Sequence, residues 1–233
     1  MDERVKRDWE RCVEFHGHVC PGLAIGFQAA QIALKVLPIL GGDQYNPKSG
    51  IVSIVQNNAC GVDAVQTLLS STFGRGNLMF RDHGKHVFSF IRRQDGRGVR
   101  VALKYGAIEN ERHQVLRIKV MDNTATPAES EEFYQLHKEI SLHLVEAPPE
   151  EHFDWREIIF ELPKGPKLNL TVQCAFCGEG VMEQRASVRD GRISCPECVE
   201  KYESQVLKSA YLNKLISISL SRNALRYRDD DLK

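Results

Sequence analysis

Long apolar runs are missing from this chain. No stretch approaches the roughly 18 consecutive apolar residues of a membrane span. The charged start MDERVKRDWERC has no apolar segment of signal-peptide length. The reading is therefore a cytoplasmic protein with no membrane partner. An excess of either charge is missing too. Because 31 Lys+Arg face 31 Asp+Glu, the basic surplus with which nucleic-acid binders neutralise phosphates is absent, and nucleic acid is not an expected partner. Neither a Gly-rich dinucleotide fingerprint nor the cysteine spacing of ferredoxin clusters occurs; Gly74-Arg75-Gly76 is too short to count as the former. Cysteine is missing from the middle of the chain: the seven lie at 12, 20, 60, 174, 177, 195 and 198. An odd number so placed, in a reducing compartment, excludes a disulfide framework and leaves metal binding, thiol chemistry and burial.

What is present is the composition of a globular protein, 42% hydrophobic and 27% charged, at a length of 233 residues that allows one large or two small domains. Residues 5–15 read as a short amphipathic helix leading into FHGHVCPG at 15–22. LAIGFQAAQIALKVL then predicts a helix buried on most sides, stopped by Pro38 and Gly41-Gly42. IVSIVQ at 51–56 reads as a buried strand, and Asn57-Asn58-Ala59-Cys60-Gly61 as a turn into a second helix. NLMF, HVFSFIRR, VRVALKY and HQVLRIKVM look like strands, with Asp95-Gly96 turning a hairpin. Thr126-Pro127 opens a helix to about 145, with acidic Glu129, Glu131 and Glu132 in its first turns. FDWREIIFEL follows, and Pro163-Lys164-Gly165-Pro166 marks a linker. The expected domains are therefore 1–165, an α+β core of mixed helices and antiparallel-rich sheet, and 166–233. The tail beyond 207 carries an amphipathic pattern through 216, which reads as core or oligomer interface.

Cys174-Ala-Phe-Cys177, seventeen residues, then Cys195-Pro-Glu-Cys198 has the spacing of a four-thiolate zinc site. Two knuckles each offer two sulfurs, and four sulfurs close a tetrahedron. A hairpin turning at Asp190-Gly191 and a helix carrying the last ligand predict a treble clef. A closed shell leaves no position for water or substrate, so this zinc is expected to be structural. From 164 to 227 ten basic residues face six acidic ones, and the thiolate site lowers that balance further, too little for a nucleic-acid surface.

His16, His18 and Cys20 alternate, so an extended segment would point all three one way. Imidazole and thiolate suit zinc, nickel, copper or iron. Cys20 also precedes a helix start that favours its thiolate. Cys60, before another helix start, is the candidate fourth ligand, with Asp63 placed to hydrogen-bond a ligand. Cys12 falls on the apolar face of the first helix and is assigned to packing.

FHGHVCPGLAIGFQAA together with NNACGVDAVQTLLSSTFGRGNLMFRDHGKHVFSF resembles the FmdE family of formylmethanofuran dehydrogenase proteins, over about the first 100 residues. The pattern is F-H-G-H-x-C-P-G-L-x-x-G, then C-x-x-D-A-x-Q, G-x-G-N-L and G-K. The appended treble-clef zinc finger resembles members of the same family. The resemblance implies an α+β core, commonly dimeric, with a metal-binding cleft at His16, His18, Cys20 and Cys60. It also implies that Asp63, Gln66, Arg75, Asn77 and Lys85 line that cleft. Many relatives have T-G-C-T where this chain has Leu69-Ser70-Ser71-Thr72, so a thiol is replaced by the Ser71 hydroxyl and a redox pair of thiols loses a member.

Three functions are consistent with these residues. The first is a metal-binding accessory protein of a molybdenum or tungsten one-carbon redox enzyme, holding zinc, nickel or iron in the core and structural zinc in the tail. The second is a metal- or thiol-dependent enzyme with Cys20 or Cys60 as nucleophile and His16 or His18 as base. The third is a zinc finger that captures protein or nucleic acid, carried on a dimerising core.

Overall fold

The computed structural model describes residues 2–37, 50–162 and 170–204. The expected helix stop at Pro38 and Gly41-Gly42, the linker at 163–166 and the tail pattern at 207–216 lie outside them. The chain divides into two compact units, Met1–Lys164 and Gly165–Lys233.

The first unit is a helical layer on a five-stranded sheet. Helix α1, Glu3–His16, is capped by Asp2, whose carboxylate accepts from the Arg4 N–H, and it buries Trp9 and Cys12. Helix α2, Pro21–Val36, starts with proline at its first position and buries eleven residues, which fits its nearly uncharged sequence. Trp9 of α1 meets Phe27 of α2 edge-to-face, with ring centroids 5.2 Å apart. Gln28, a buried amide of this helix, donates from Nε2 to the carbonyls of Leu144 and Val145 at 2.6 and 3.0 Å. A buried polar side chain thus closes the carbonyl end of a distant helix.

Strand β1, Ile51–Val55, helix α3, Gly61–Leu69, and strand β2, Leu78–Phe80, form a crossover whose two strands are parallel. Strands β3, Val87–Arg92, and β4, Arg97–Leu103, are joined at Asp95-Gly96, where Gly96 takes a φ of 70°. Strand β5, Phe153–Ile159, closes the order β2-β1-β3-β4-β5, in which every pair except β1–β2 is antiparallel. The pleat period of two sends Ile51 and Val55, Phe88 and Phe90, Val99 and Val101, and Phe153 to the helical side, where they share one core with α2.

One segment differs from its sequence reading. HQVLRIKVM is helix α4, Glu111–Met121, not a strand. Asn110 caps it, its side chain accepting from the His113 N–H at 2.9 Å. Leu116 and His113, one turn apart, are its buried residues, which is helical rather than alternating burial. Helix α5, Pro127–Glu146, lies against α4 and opens with a capping box between Thr126 and Glu129. Lys119 reaches from α4 to the Glu129 carboxylate, and Arg112 holds Glu132 through two nitrogens at 2.7 and 2.5 Å. A four-residue helix α6, Pro149–His152, turns the chain into β5.

The second unit holds two short antiparallel hairpins, β6 Thr171–Gln173 with β7 Gly180–Met182, and β8 Ser187–Arg189 with β9 Arg192–Ser194. Asp190 and Gly191, with φ of 50° and 71°, make the second turn. A helix α7 runs over 196–204. Hairpin, hairpin and helix, with a cysteine pair on the first and another at the helix start, are the parts of a treble clef.

Candidate metal centres and their cleft

The end of α1 and the starts of α2 and α3 meet at one point. His16 is the last residue of α1, and Gly17 follows it with a φ of 91°, a left-handed conformation that ends the helix. The chain is thus not extended through FHGHVC. Cys20 is the cap of α2, its sulfur accepting from the Leu23 N–H at 3.3 Å. Cys60 immediately precedes α3. What brings the two cysteines together is a close crossing of α2 and α3 through glycines. A Cβ on Gly26 would stand 1.9 Å from the Gly61 carbonyl oxygen, and one on Gly22 would touch Cys60.

The result is a ligand triangle. Donor atoms of His16, Cys20 and Cys60 lie within 4.8 Å of one another. His16 donates from Nδ1 to Asp63 Oδ2 at 2.7 Å, which fixes the tautomer and leaves Nε2 as a lone pair 3.6 Å from the Cys20 sulfur. Asp63 is itself held by the Gln66 amide, which donates to Oδ1 at 3.2 Å. A carboxylate behind the imidazole of a histidine facing two sulfurs is the outer support that metal sites use. The donor set of one imidazole and two thiols fits a soft or borderline transition metal, which would sit between His16 Nε2 and the two sulfurs and supply Lewis acidity there. Burial pushes the Cys20 thiol up to about 11, outweighing the Leu23 N–H, which pulls the other way. The helix start therefore does not by itself make Cys20 a thiolate, and a metal held there would bind the sulfur only with its proton released.

His18 lies outside this triangle. Its ring sits beside that of His16, 4.4 Å between centroids, because the left-handed Gly17 redirects the chain after His16. The remaining residues named from the sequence divide. Asp63 and Gln66 line a cleft of about 510 Å³ with His16 and Cys60. Arg75 is exposed and donates to the Ser70 carbonyl at 3.0 Å. Asn77 is occupied in fold, donating to the carbonyls of Ile51 and Ser70 and accepting from the Thr72 N–H. Lys85 is exposed, and its carbonyl accepts from Asn57 at 2.7 Å. Ser71 is fully buried and shares a hydrogen bond of 2.8 Å with Ser53. Sequence reasoning missed Phe73 and Phe80, which line the same cleft while remaining exposed. No periodicity announces them, since one lies in a loop and the other ends a three-residue strand.

In the second unit Cys174, Cys177, Cys195 and Cys198 also bring their sulfurs within 4.8 Å. Gly178, with a φ of 79°, tightens the first knuckle and donates to the Cys174 carbonyl at 2.9 Å. The Ala175 N–H donates to Ile193 at 2.9 Å, tying that knuckle to the second hairpin. Backbone N–H groups of Cys177 and Cys195 pull the Cys174 thiol down to about 6. The Cys195 sulfur beside it pushes Cys198 up to about 12. Four neighbouring thiols lose all their protons only to a cation, and the cluster fits a structural metal such as zinc. Arg189 lies 4.1 Å from the rings of both Phe176 and Tyr202, a cation–π clamp between the knuckle and α7.

Residues 15–154 match the sequence model of the family described as "FmdE, Molybdenum formylmethanofuran dehydrogenase operon". The chain is 28% identical over 203 residues to the "Probable S-adenosyl-L-methionine-binding protein" of Archaeoglobus fulgidus, a match covering 84% of this chain and 53% of that protein. The chain thus spans about half the length of the curated relative it matches. It is similar to the crystal structure of a tungsten formylmethanofuran dehydrogenase FmdE-like protein from Syntrophus aciditrophicus, with a TM-score of 0.57 and 25% identity. That match covers 83% of this chain and 91% of the other. The chain belongs to the FmdE family, a metal-binding protein family by this likeness, and its four-cysteine cluster is the one that fits a structural metal such as zinc. No helix among the described residues is long and apolar enough to cross a membrane.

Proposed function

Taking membership of the FmdE family as premise, we propose that this chain binds a transition metal at His16, Cys20 and Cys60 and serves a molybdenum or tungsten enzyme of the formylmethanofuran dehydrogenase type. The observation that carries the reading is the convergence of one imidazole and two sulfurs on a single point beside an open cleft, with Asp63 behind the imidazole. Zinc, nickel and iron all suit that donor set. Zinc at Cys174, Cys177, Cys195 and Cys198 is structural in this reading, and the protein works as a homodimer in contact with the dehydrogenase.

In the core site His16 presents Nε2 as ligand, Asp63 holds the ring in place, and Cys20 and Cys60 give up their protons to become thiolates. Gln66 keeps Asp63 oriented, and the cleft gives a partner or small molecule access to the open side. Metal stoichiometry by mass spectrometry tests this. The wild-type chain is expected to hold one metal more than either His16→Ala or Cys60→Ser, while both variants keep the tail zinc. Equal stoichiometry in all three would remove the core site and the function built on it.

A second reading is favoured by the size of the cleft and by the exposed Phe73 and Phe80 along it: a metal-dependent enzyme whose small substrate lies against the rings. The relative named for S-adenosyl-L-methionine binding makes that cofactor the first compound to consider. Cys20 and Cys60 then act through the metal rather than as free nucleophiles, since the buried Cys20 thiol stays protonated near neutral pH. The readings part on whether a compound in the cleft reacts without a partner enzyme.

A further inference from the structure

Helix α5 and the corner between α6 and β5 carry a further group of ligating side chains that takes no part in the His16 centre. His143 projects from the last turns of α5, and Glu151 and His152 end α6. Donor atoms of the three lie within 4.8 Å of one another. The two imidazoles stand nearly perpendicular, at 79°, with centroids 5.3 Å apart. Two imidazoles bound through nitrogen to one ion at about 2.1 Å, with a tetrahedral angle between them, have centroids roughly 5.2 Å apart. The rings are therefore already spaced as a ligand pair.

His152 adds an independent observation. It is 9% exposed, and its Nε2 is buried with no hydrogen-bond partner among the described residues. The ring also hydrogen-bonds the Ala107 backbone carbonyl. With Nε2 unpartnered, that bond falls to Nδ1, which donates. A histidine whose Nδ1–H is committed to a carbonyl holds the tautomer with a bare lone pair on Nε2, the arrangement that orients metal-ligating imidazoles. A buried acceptor without a donor is rare in folded proteins, and a cation satisfies it.

The surroundings favour a positive ion. A cavity of about 350 Å³ adjoins the rings and is lined by Glu109, Asn110 and Glu139 as well as His143 and His152. Glu139 lies one turn before His143 on α5. The Lys104 ammonium, a cation in this corner, is engaged elsewhere, donating to the Glu150 carbonyl at 2.6 Å and lying 3.9 Å from Asp154.

We propose that His143, His152 and Glu151 form a site for a divalent transition metal ion, separate from both cysteine centres and open on its fourth side to the adjoining cavity. Two imidazoles and one carboxylate suit zinc, nickel or cobalt. Three protein ligands with a free position are the pattern of a site that keeps a water or takes a small anion, in contrast to the closed shell of the tail.

Cobalt(II) titration of the full chain distinguishes this site from the others, because thiolate-bound cobalt shows sulfur-to-metal charge transfer and a nitrogen–oxygen site does not. Wild type is expected to take up one equivalent more than His143→Ala, and the difference spectrum should carry visible ligand-field bands without sulfur charge transfer. The same equivalent should persist in Cys20→Ser/Cys60→Ser. Glu151→Gln should weaken it at least tenfold while far-UV circular dichroism stays unchanged. His143 is exposed, so its removal leaves the core intact. If folded His143→Ala binds as many equivalents as wild type with the same affinity, or if the lost equivalent carries sulfur charge transfer, the site does not exist.

Discussion

At the scale of single residues, the metal ligation proposed for the core rests on a carboxylate outside the donor triangle. Asp63 accepts from His16 Nδ1 at 2.7 Å and thereby decides which imidazole nitrogen faces the cysteines. Asp63→Asn keeps a carbonyl oxygen for that bond but removes the charge that makes the imidazole a stronger donor. Removing such an outer partner typically costs about 10- to 100-fold in metal affinity. The expected outcome is weakening in that range at the core site, measured by competition with a chromophoric chelator, with the tail zinc and the thermal midpoint unaffected. Wild-type affinity in Asp63→Asn would mean that His16 does not ligate through Nε2. Gln28 shows the same economy in a structural role: one buried amide closes the carbonyl end of α5. Its place in an apolar run gives no hint of the helix it serves, since its partners are more than a hundred residues away.

At the scale of elements, the site is made by a helix crossing. Gly26 and Gly61 allow α2 and α3 to approach until a Cβ would overlap a backbone carbonyl, and Cys20 and Cys60 ride on the ends of those helices. Gly26→Ala must force the helices apart. Overpacking of this kind costs about 1–3 kcal/mol, and the upper end applies because the obstacle is backbone that cannot rotate away. The core site of Gly26→Ala is expected to lose its metal although no ligand has changed, whereas Gly74→Ala, which meets open space, should alter neither stability nor metal content. Metal retained by a folded Gly26→Ala would detach the site from the crossing. Here the limits of sequence reading become physical. Side-chain chemistry alone singles out His16, Cys20, Cys60 and Asp63, which the fold does bring together, but the extended segment expected to align His16, His18 and Cys20 is a helix end. The Gly26–Gly61 contact, the cleft-lining Phe73 and Phe80, and the position of His18 after a left-handed Gly17 are products of tertiary packing. Helix α4 was misread for a related reason: its β-branched residues favour a strand, but the Asn110 cap and the burial of His113 and Leu116 on one side favour a helix.

At the scale of the whole molecule, the two units rest on different sources of stability. The first unit shares a core that runs from Trp9 of α1 through α2 and the sheet to Phe153. In the second, only Cys174, Ser194 and Cys195 are buried among residues 170–204. Among these described residues the interior is largely the sulfurs themselves. Short hairpins of three-residue strands cannot offset the conformational entropy of ordering them without some further tie. The cation–π clamp of Arg189 between Phe176 and Tyr202 adds about 1 kcal/mol, far less than a bound zinc contributes to folding. Removing metal from the full chain with a strong chelator should therefore split its behaviour. Amide resonances of residues 170–204 are expected to collapse toward unfolded positions and to return when zinc is restored. Those of β3 and β4, whose strands bury Phe88, Phe90, Val99 and Val101, should stay dispersed and protected from exchange. Dispersed signals from 170–204 in the chelated protein would show that the hairpins and α7 hold without the ion, and the four cysteines would then need a role other than folding.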